Sequence, residues 1–112
     1  MSKFDNLDVF LADFAARMRG LFGDNLVSVV LFGSCARGDM NEESDVDILI
    51  LLNLPESEIR SLRRTVSDVS SELDLKYGVV LSPVLQSYEE FEKYASASPF
   101  FANIRREGIK VA

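Results

Sequence analysis

Two short apolar segments flank a polar loop in the second quarter of the chain, and this arrangement limits most strongly what the chain can fold into. The segments are LVSVVLF, residues 26–32, and VDILILL, residues 46–52. Short runs rich in β-branched and other apolar side chains are typical of strands that are covered on both faces. The sequence therefore predicts two buried strands joined by the loop.

Helical patterns alternate with these strands. Apolar residues recur every three or four positions in the first quarter of the chain and again in its third quarter. Helix starts are indicated by Pro55, by Ser87 with Glu90, and by Ser98 followed by Pro99. The predicted helices cover residues 5–21, 55–78, 88–95 and 99–106.

A third strand is predicted over residues 79–87, VVLSPVLQS. Pro83 has no N–H to donate to a strand ladder, which places this strand at or near a sheet edge. The predicted fold class is α/β (α+β), a small mixed β-sheet flanked by helices. With 112 residues, of which 47% are hydrophobic, the chain fits one domain over residues 1–112 with a single core.

Composition excludes several kinds of site. The chain has one cysteine, Cys35, and no histidine, so a Cys/His zinc site is excluded and any metal would be held by oxygen ligands. The net charge of −6 disfavours binding to a nucleic-acid backbone. The longest apolar runs are far short of the roughly 20 residues that span a bilayer. We expect a cytoplasmic protein without a membrane segment.

Asp45 and Asp47 stand two positions apart at the start of the second buried segment. Residues i and i+2 of a strand point to the same face, so these two carboxylates are expected side by side. Two like charges that close are unfavourable unless a cation neutralises them. Oxygen ligands with room for phosphate oxygens suit Mg²⁺ or Mn²⁺. We predict that Asp45 and Asp47 bind metal and are catalytic.

Gly33 and Ser34 follow the first buried segment. Glycine permits a tight turn and a close approach of the backbone to a ligand. A helix that begins near Ser34 would direct free N–H groups at an anion, with the Ser34 hydroxyl as a further donor. Arg37 lies one turn further on and could reach the same phosphates.

Each of these features alone has an ordinary structural explanation. Gly-Ser after a strand is common in turns, Asp-x-Asp often ends a solvated loop, and Arg37 can be a surface charge. The acidic run 39–43 is most simply a solvated loop, and Phe100, Phe101 and Ile104 are most simply core residues, with an oligomer or partner surface as the alternative. The order and spacing of the motif carry the functional prediction.

The segment GSCARGDMNEESDVD resembles the G-S-x10-D-x-D signature of the DNA polymerase β-type nucleotidyltransferase superfamily. Gly33, Ser34, Asp45 and Asp47 match the signature, and the pairs Arg37-Gly38 and Ser44-Asp45 are similar to the minimal nucleotidyltransferases (MNT domains). The resemblance implies Asp45 and Asp47 as metal ligands and catalytic residues. It implies Gly33, Ser34, Arg37 and Ser44 as nucleotide-binding residues.

The resemblance also implies an activity and partners. The expected reaction is the Mg²⁺-dependent transfer of a nucleoside monophosphate, AMP in the simplest case, from a nucleoside triphosphate such as ATP to an acceptor hydroxyl. Many such proteins accompany a HEPN-type helical partner, and some are antitoxins that modify a tyrosine of that partner. The alternative is a catalytically weak module of the same fold that neutralises a partner by contact. A homo-oligomer is a further possibility.

One departure from the superfamily pattern bears on activity. Active members usually carry a third carboxylate on a later strand, but residues 79–87 contain no acid. Alternation puts Ser82 or Gln86 at the expected place, and neither substitutes well for a carboxylate. Asp74, Glu89 and Glu90 are the remaining candidates near this strand.

Overall fold

The computed structural model describes residues 6–41 and 44–112 of the chain. Helices and strands alternate along these residues, as the sequence predicts. The helices are α1 (Leu7–Phe22), α2 (Ser34–Arg37), α3 (Glu56–Tyr77), α4 (Tyr88–Tyr94) and α5 (Pro99–Glu107), with a 3-10 turn at Gly23–Asn25. The strands are β1 (Leu26–Phe32), β2 (Val46–Leu52), β3 (Leu81–Ser87) and β4 (Ile109–Lys110).

The four strands form one mixed sheet in the order β3-β2-β1-β4. Strand β1 pairs antiparallel with both β2 and β4, whereas β3 pairs parallel with β2. The parallel pair requires a crossover connection, which α3 supplies. The predicted fold class, a small mixed sheet flanked by helices, is confirmed.

Strand β2 lies in the interior of the sheet and is buried on both faces. Ile48 and Ile50 point to the face that is covered by α1 and α3, and both are fully buried. Leu49 and Leu51 point to the opposite face, where they pack with Phe91 of α4 and Ile104 of α5. By alternation, Asp47 shares this second face with Leu49 and Leu51.

Strand β3 lies at a sheet edge, as Pro83 predicts. It begins at Leu81, two residues later than expected, because Val79 and Val80 connect the end of α3 to the sheet. The carbonyl of Val80 accepts from the Val46 N–H at 2.8 Å, while the Leu81 N–H donates to Oδ1 of Asp74 at 3.0 Å. The absent N–H of Pro83 and the occupied N–H of Leu81 protect this edge against pairing with another chain.

Strand β4 is not predicted from the sequence, because two residues carry no periodicity. Its formation depends on pairing with Val30 and Leu31 of β1. Gly108, which joins α5 to β4, is closely packed: a Cβ atom there would lie 2.5 Å from Cγ1 of Val30 and 2.5 Å from the carbonyl oxygen of Ile104. The C-terminal segment is thereby held tightly against β1.

The helix ends agree with the expected start and stop residues. The Ser87 hydroxyl accepts from the Glu90 N–H at 3.4 Å, and the Ser98 hydroxyl accepts from the Phe101 N–H at 3.3 Å. Helix α1 begins at Leu7 and ends at Phe22, within two residues of the prediction. Among the described residues, no helix combines the length and the apolar character that crossing a membrane requires.

The predicted core role of the terminal aromatic residues is correct only in part. Ile104 is 4% exposed and Phe101 is half-buried, but Phe100 is 49% exposed. The three residues cannot all face the sheet, because consecutive helix residues are about 100° apart around the axis. Phe100 lies on the side of α5 that borders the end of β1.

Candidate functional site

Gly33 makes the turn that leads from β1 into the motif loop. Its backbone has φ 73° and ψ −153°, a region that side-chain-bearing residues rarely adopt. A Cβ atom at this position would lie 2.3 Å from Oδ2 of Asp47. The absent side chain therefore leaves the space in which the Asp47 carboxylate lies, directly against the turn.

Asp47 is held between two neighbouring strands. It pairs with Phe32 of β1 in the antiparallel register and with Ser82 of β3 in the parallel register. The side chain is half-buried, whereas Asp45, which precedes the first residue of β2, is exposed. The sheet thus fixes Asp47 from both sides and presents Asp45 at its rim.

The electrostatic environment of Asp47 favours a bound cation. Burial raises the pKa of the Asp47 carboxyl, the negative charge of Asp45 raises it further, and the Arg37 charge lowers it. A raised pKa means that the ionised carboxylate is unfavourable in the protein alone. A cation shared by the two carboxylates would reverse that penalty, because it favours their ionised forms.

The donor set fits a magnesium ion. Mg²⁺ is usually held by one or two carboxylates together with substrate phosphates and water, which is what Asp45, Asp47 and a phosphate bound at the Gly33 turn would provide. Within residues 6–41 and 44–112, no group of three or more His, Cys, Asp or Glu side chains is placed to hold a metal. Asp45 and Asp47 therefore stay a predicted two-carboxylate site, which matches a metal that takes its other ligands from phosphate and water.

Helix α2 begins at Ser34, as predicted, whereas phosphate binding by this turn stays a prediction. The N–H groups of Ala36 and Arg37 donate to the Gly33 carbonyl at 3.1 and 3.2 Å, and the Asp39 N–H donates to the Ser34 carbonyl at 3.1 Å. The helix is one turn long, so any attraction for phosphate comes from local donors and not from the dipole of a long helix.

Arg37 and Ser44 lie at the two ends of the loop. Arg37 is exposed, and its Nε lies 3.4 Å from Oδ2 of Asp39. Its positive charge opposes the burial and the Asp45 charge that raise the pKa of Asp47. The Ser44 hydroxyl instead accepts from the Asn41 N–H at 2.9 Å, and the Ser44 N–H donates to the Asn41 carbonyl at 3.0 Å. Ser44 therefore closes a turn that leads into Asp45.

The remaining loop residues have structural roles. Cys35 is buried, and its Sγ lies 3.6 Å from the backbone carbonyl of Asp45, which ties the turn to the start of β2. Asp39 is exposed, as expected for a solvated loop. Residues 42 and 43, which complete the predicted acidic run, lie outside the described residues.

The position expected for a third carboxylate is occupied by Ser82. The parallel register puts Ser82 beside Asp47, whereas Gln86 lies beside Leu51, four residues further along. Asp74 is engaged elsewhere, since its Oδ1 accepts from the Leu81 N–H. Burial, with a smaller contribution from the Asp45 charge, raises the pKa of Asp74, and the Leu81 N–H lowers it. Asp74 therefore lies within the electrostatic range of the site.

Sequence reasoning did not place α5 beside the Gly33 turn. The Phe100 ring packs edge-on against Phe32, with ring centroids 5.7 Å apart and planes 89° apart. Phe100, Asn103, Ile104 and Glu107 line a shallow depression together with Phe32 and Gly33. The spacing of Phe100 and Asn103 on one helix face was visible in the sequence, but their nearness to Gly33 was not.

A four-stranded mixed sheet flanked by helices, with Asp47 of an interior strand against a glycine turn, is consistent with the nucleotidyltransferase fold. The chain belongs to the nucleotidyltransferase domain family, since the family model described as "Nucleotidyltransferase domain" matches residues 11–107. It is therefore a transferase.

Three similar proteins are consistent with this assignment. Two come from Methanocaldococcus jannaschii and carry the name "Putative protein adenylyltransferase": one is 35% identical over 92% of this chain and 95% of its own length, the other 40% identical over 70% of this chain. The latter alignment spans 54% of that relative. A spectinomycin 9-adenylyltransferase from Staphylococcus aureus is 34% identical over 50% of this chain and 22% of its own length.

Proposed function

We propose that this protein transfers AMP from ATP to a hydroxyl group of an acceptor protein, in a reaction that depends on Mg²⁺. The observation that carries the proposal is the Asp47 carboxylate, which lies against the Gly33 turn beside the charge of Asp45. A cation held by these carboxylates would lie next to a phosphate bound at the Gly33 turn. The two archaeal relatives named for protein adenylylation support the choice of AMP and of a protein acceptor.

The chain's own residues have defined tasks in this reaction. Gly33 lets the backbone approach the β- and γ-phosphates, the Ser34 hydroxyl donates to them, and Arg37 adds positive charge at the rim. Asp45 and Asp47 hold the cation. When bound, Mg²⁺ acts as a Lewis acid that polarises the phosphoryl oxygens. The acceptor oxygen bonds to the α-phosphorus, the bond from that phosphorus to the β-phosphate oxygen breaks, and pyrophosphate leaves while the hydroxyl proton passes to water.

The acceptor that we propose is a tyrosine of a HEPN-type toxin, with this protein as its antitoxin. The proposal rests on the resemblance of the motif to the minimal nucleotidyltransferases and on the names of the archaeal relatives. A reducing compartment such as the cytoplasm is consistent with the single cysteine.

A second candidate function follows from the serine at position 82. Ser82 occupies the register position beside Asp47 and carries no charge that could complete a second cation site. A protein that binds ATP and metal but transfers AMP slowly would neutralise its partner by contact alone. The two candidates differ in whether neutralisation depends on the aspartates.

The test is transfer of label from α-³²P-ATP to the partner protein with Mg²⁺, followed on a denaturing gel. The double variant Asp45→Asn with Asp47→Asn should lower the rate of transfer more than about a hundredfold. Removing a group that only orients a metal ligand already lowers metal affinity or activity about 10–100-fold. The matched control is Asp24→Asn with Asp68→Asn, which removes two exposed charges elsewhere.

The outcome separates the candidates. Transfer that the control retains and the aspartate variant loses supports the transferase with a protein acceptor. Absence of transfer, together with neutralisation of the partner by the aspartate variant, would contradict it and favour the binding module.

A further inference from the structure

Three exposed residues of α5 form a stripe beside the motif loop. Phe100, Asn103 and Glu107 are spaced by three and four positions, so they share one face of the helix. Together with Gly33, Phe32 and Ile104 they line a depression of about 60 Å³. We call Phe100, Asn103 and Glu107 the α5 stripe. Gly33 lines the depression and also belongs to the proposed phosphate site, so the α5 stripe adjoins that site directly.

The stripe is held in a fixed position. Ile104, on the adjoining face of α5, is buried against Leu49 and Leu51. At the end of the helix, Gly108 allows close packing on Val30, and β4 then pairs with β1. The helix is therefore anchored on its inner face and at its C-terminal end, so its exposed side presents a preorganised surface.

Phe100 gives this surface an unusual chemical character. The ring is held edge-on by Phe32, yet the residue is 49% exposed. Asn103 next to it offers its amide N–H donors, while its Oδ1 accepts from Nη2 of Arg106 at 2.8 Å. Glu107 adds a carboxylate that is paired with Arg106, since Nη2 of Arg106 lies 3.4 Å from Oε1 of Glu107. A group with a flat ring and polar edges matches an exposed aromatic face that adjoins polar side chains.

We propose that the α5 stripe binds the nucleoside of the ATP whose phosphates lie at Gly33 and Ser34. The inference rests on the proposed function. The adenine ring lies on Phe100, since aromatic side chains stack on bases of any sequence. The Asn103 amide bonds the edge of the base, and the Glu107 carboxylate accepts from a ribose hydroxyl. The depression is too small to enclose a base, so the base lies on its rim.

Binding of Mg²⁺-ATP and of Mg²⁺-tripolyphosphate tests the proposal, because the two ligands share the phosphate chain and differ in the nucleoside. Titration calorimetry of Phe100→Ala should show ATP affinity reduced about tenfold, as expected for loss of one stacked base, with tripolyphosphate affinity unchanged. Tyr94→Ala is the matched control, because Tyr94 is 48% exposed on α4. Phe100→Leu keeps apolar volume without an aromatic face and should repeat the loss if the alanine variant folds poorly.

Several results would overturn the proposal. An equal loss of affinity for both ligands would mean that Phe100 supports the loop and not the base. Unchanged ATP affinity with weaker labelling of the acceptor protein would assign the stripe to the acceptor. If the wild-type protein binds tripolyphosphate in a manner that Asp47→Asn abolishes, but Phe100 makes no difference, only this subsite is wrong. If the wild-type protein binds neither ligand, the proposed function fails as well.

Discussion

The Oδ2 atom of Asp47 lies only 2.3 Å from the position that a Cβ atom of residue 33 would occupy. A side chain at this position must displace the carboxylate, the turn or both. The close packing of β2 against the Gly33 turn therefore depends on the missing Cβ atom of Gly33.

Gly33→Ala should abolish metal-dependent ATP binding and destabilise the fold. The backbone conformation of Gly33, φ 73° with ψ −153°, alone costs a residue with a side chain about 1–3 kcal/mol, and the clash with Asp47 adds to it. Gly78→Ala is the control, because Gly78 has φ 69° with nothing within 4 Å of its added Cβ. Urea titrations should show a lower free energy of unfolding for both variants, while calorimetry should show that only Gly78→Ala still binds ATP. Equal ATP affinity in the two variants would contradict the inference that Gly33 leaves room for the Asp47 carboxylate.

Asp47→Asn should raise the melting temperature at pH 7 in the absence of metal. The pKa of Asp47 is raised in the folded protein, so the folded state binds its proton more tightly than the unfolded chain does. The ionisation penalty is absent below the unfolded pKa of about 4 and becomes complete as pH rises through the folded pKa. The difference in melting temperature between the variant and the wild type should therefore shrink as the pH falls toward 4. A gain in melting temperature that is independent of pH would contradict the expectation.

Asp74 is expected to be structural. Asp74→Ala leaves the Leu81 N–H at the start of β3 without its acceptor, which should cost about 1–3 kcal/mol of unfolding free energy. Asp74→Asn keeps an oxygen acceptor and loses the charge that burial disfavours, so its stability should stay close to wild type. Denaturant titrations measure both variants. If Asp74→Asn folds normally but loses nucleotidyl transfer, Asp74 acts as the third carboxylate instead.

Ser82→Asp should place a third carboxylate beside Asp47. Without divalent cations, the like charges on paired strands should lower the melting temperature by a few degrees. Added Mn²⁺ should restore it and bind more tightly than in wild type, as seen in thermal melts across a metal titration. Gln86→Asp is the control, because Gln86 lies beside Leu51. A Mn²⁺ response that is the same in both variants would mean that Ser82 does not face the cation site.

Much of the fold could be predicted because its signals are local. The apolar runs of β1 and β2 end at the residues expected, and Ser87 and Ser98 cap the helices that follow them. The motif residues Gly33 and Asp47 were also selected from sequence, by their spacing. The roles assigned to the site residues stay predictions until the variants above are measured.

Other features depend on pairings that no local pattern encodes. Strand β4 has two residues, and Phe100 has the apolar character of a core residue although it is half exposed. The register of β3 against β2 decides that Ser82, and not Gln86, lies beside Asp47. A shift of this register along the strand would have brought a different side chain to Asp47.

The sequence by itself determined the alternation of helices and strands and the spacing of the motif, because periodicity, turn chemistry and capping act over a few residues. Only the tertiary structure decided which side chains meet Asp47. The contact of Asp47 with the Gly33 turn, its pairing with Ser82 and the approach of Phe100 to the loop join residues that are far apart in the chain. Such contacts form because burying β2 on both faces brings separate elements against one strand.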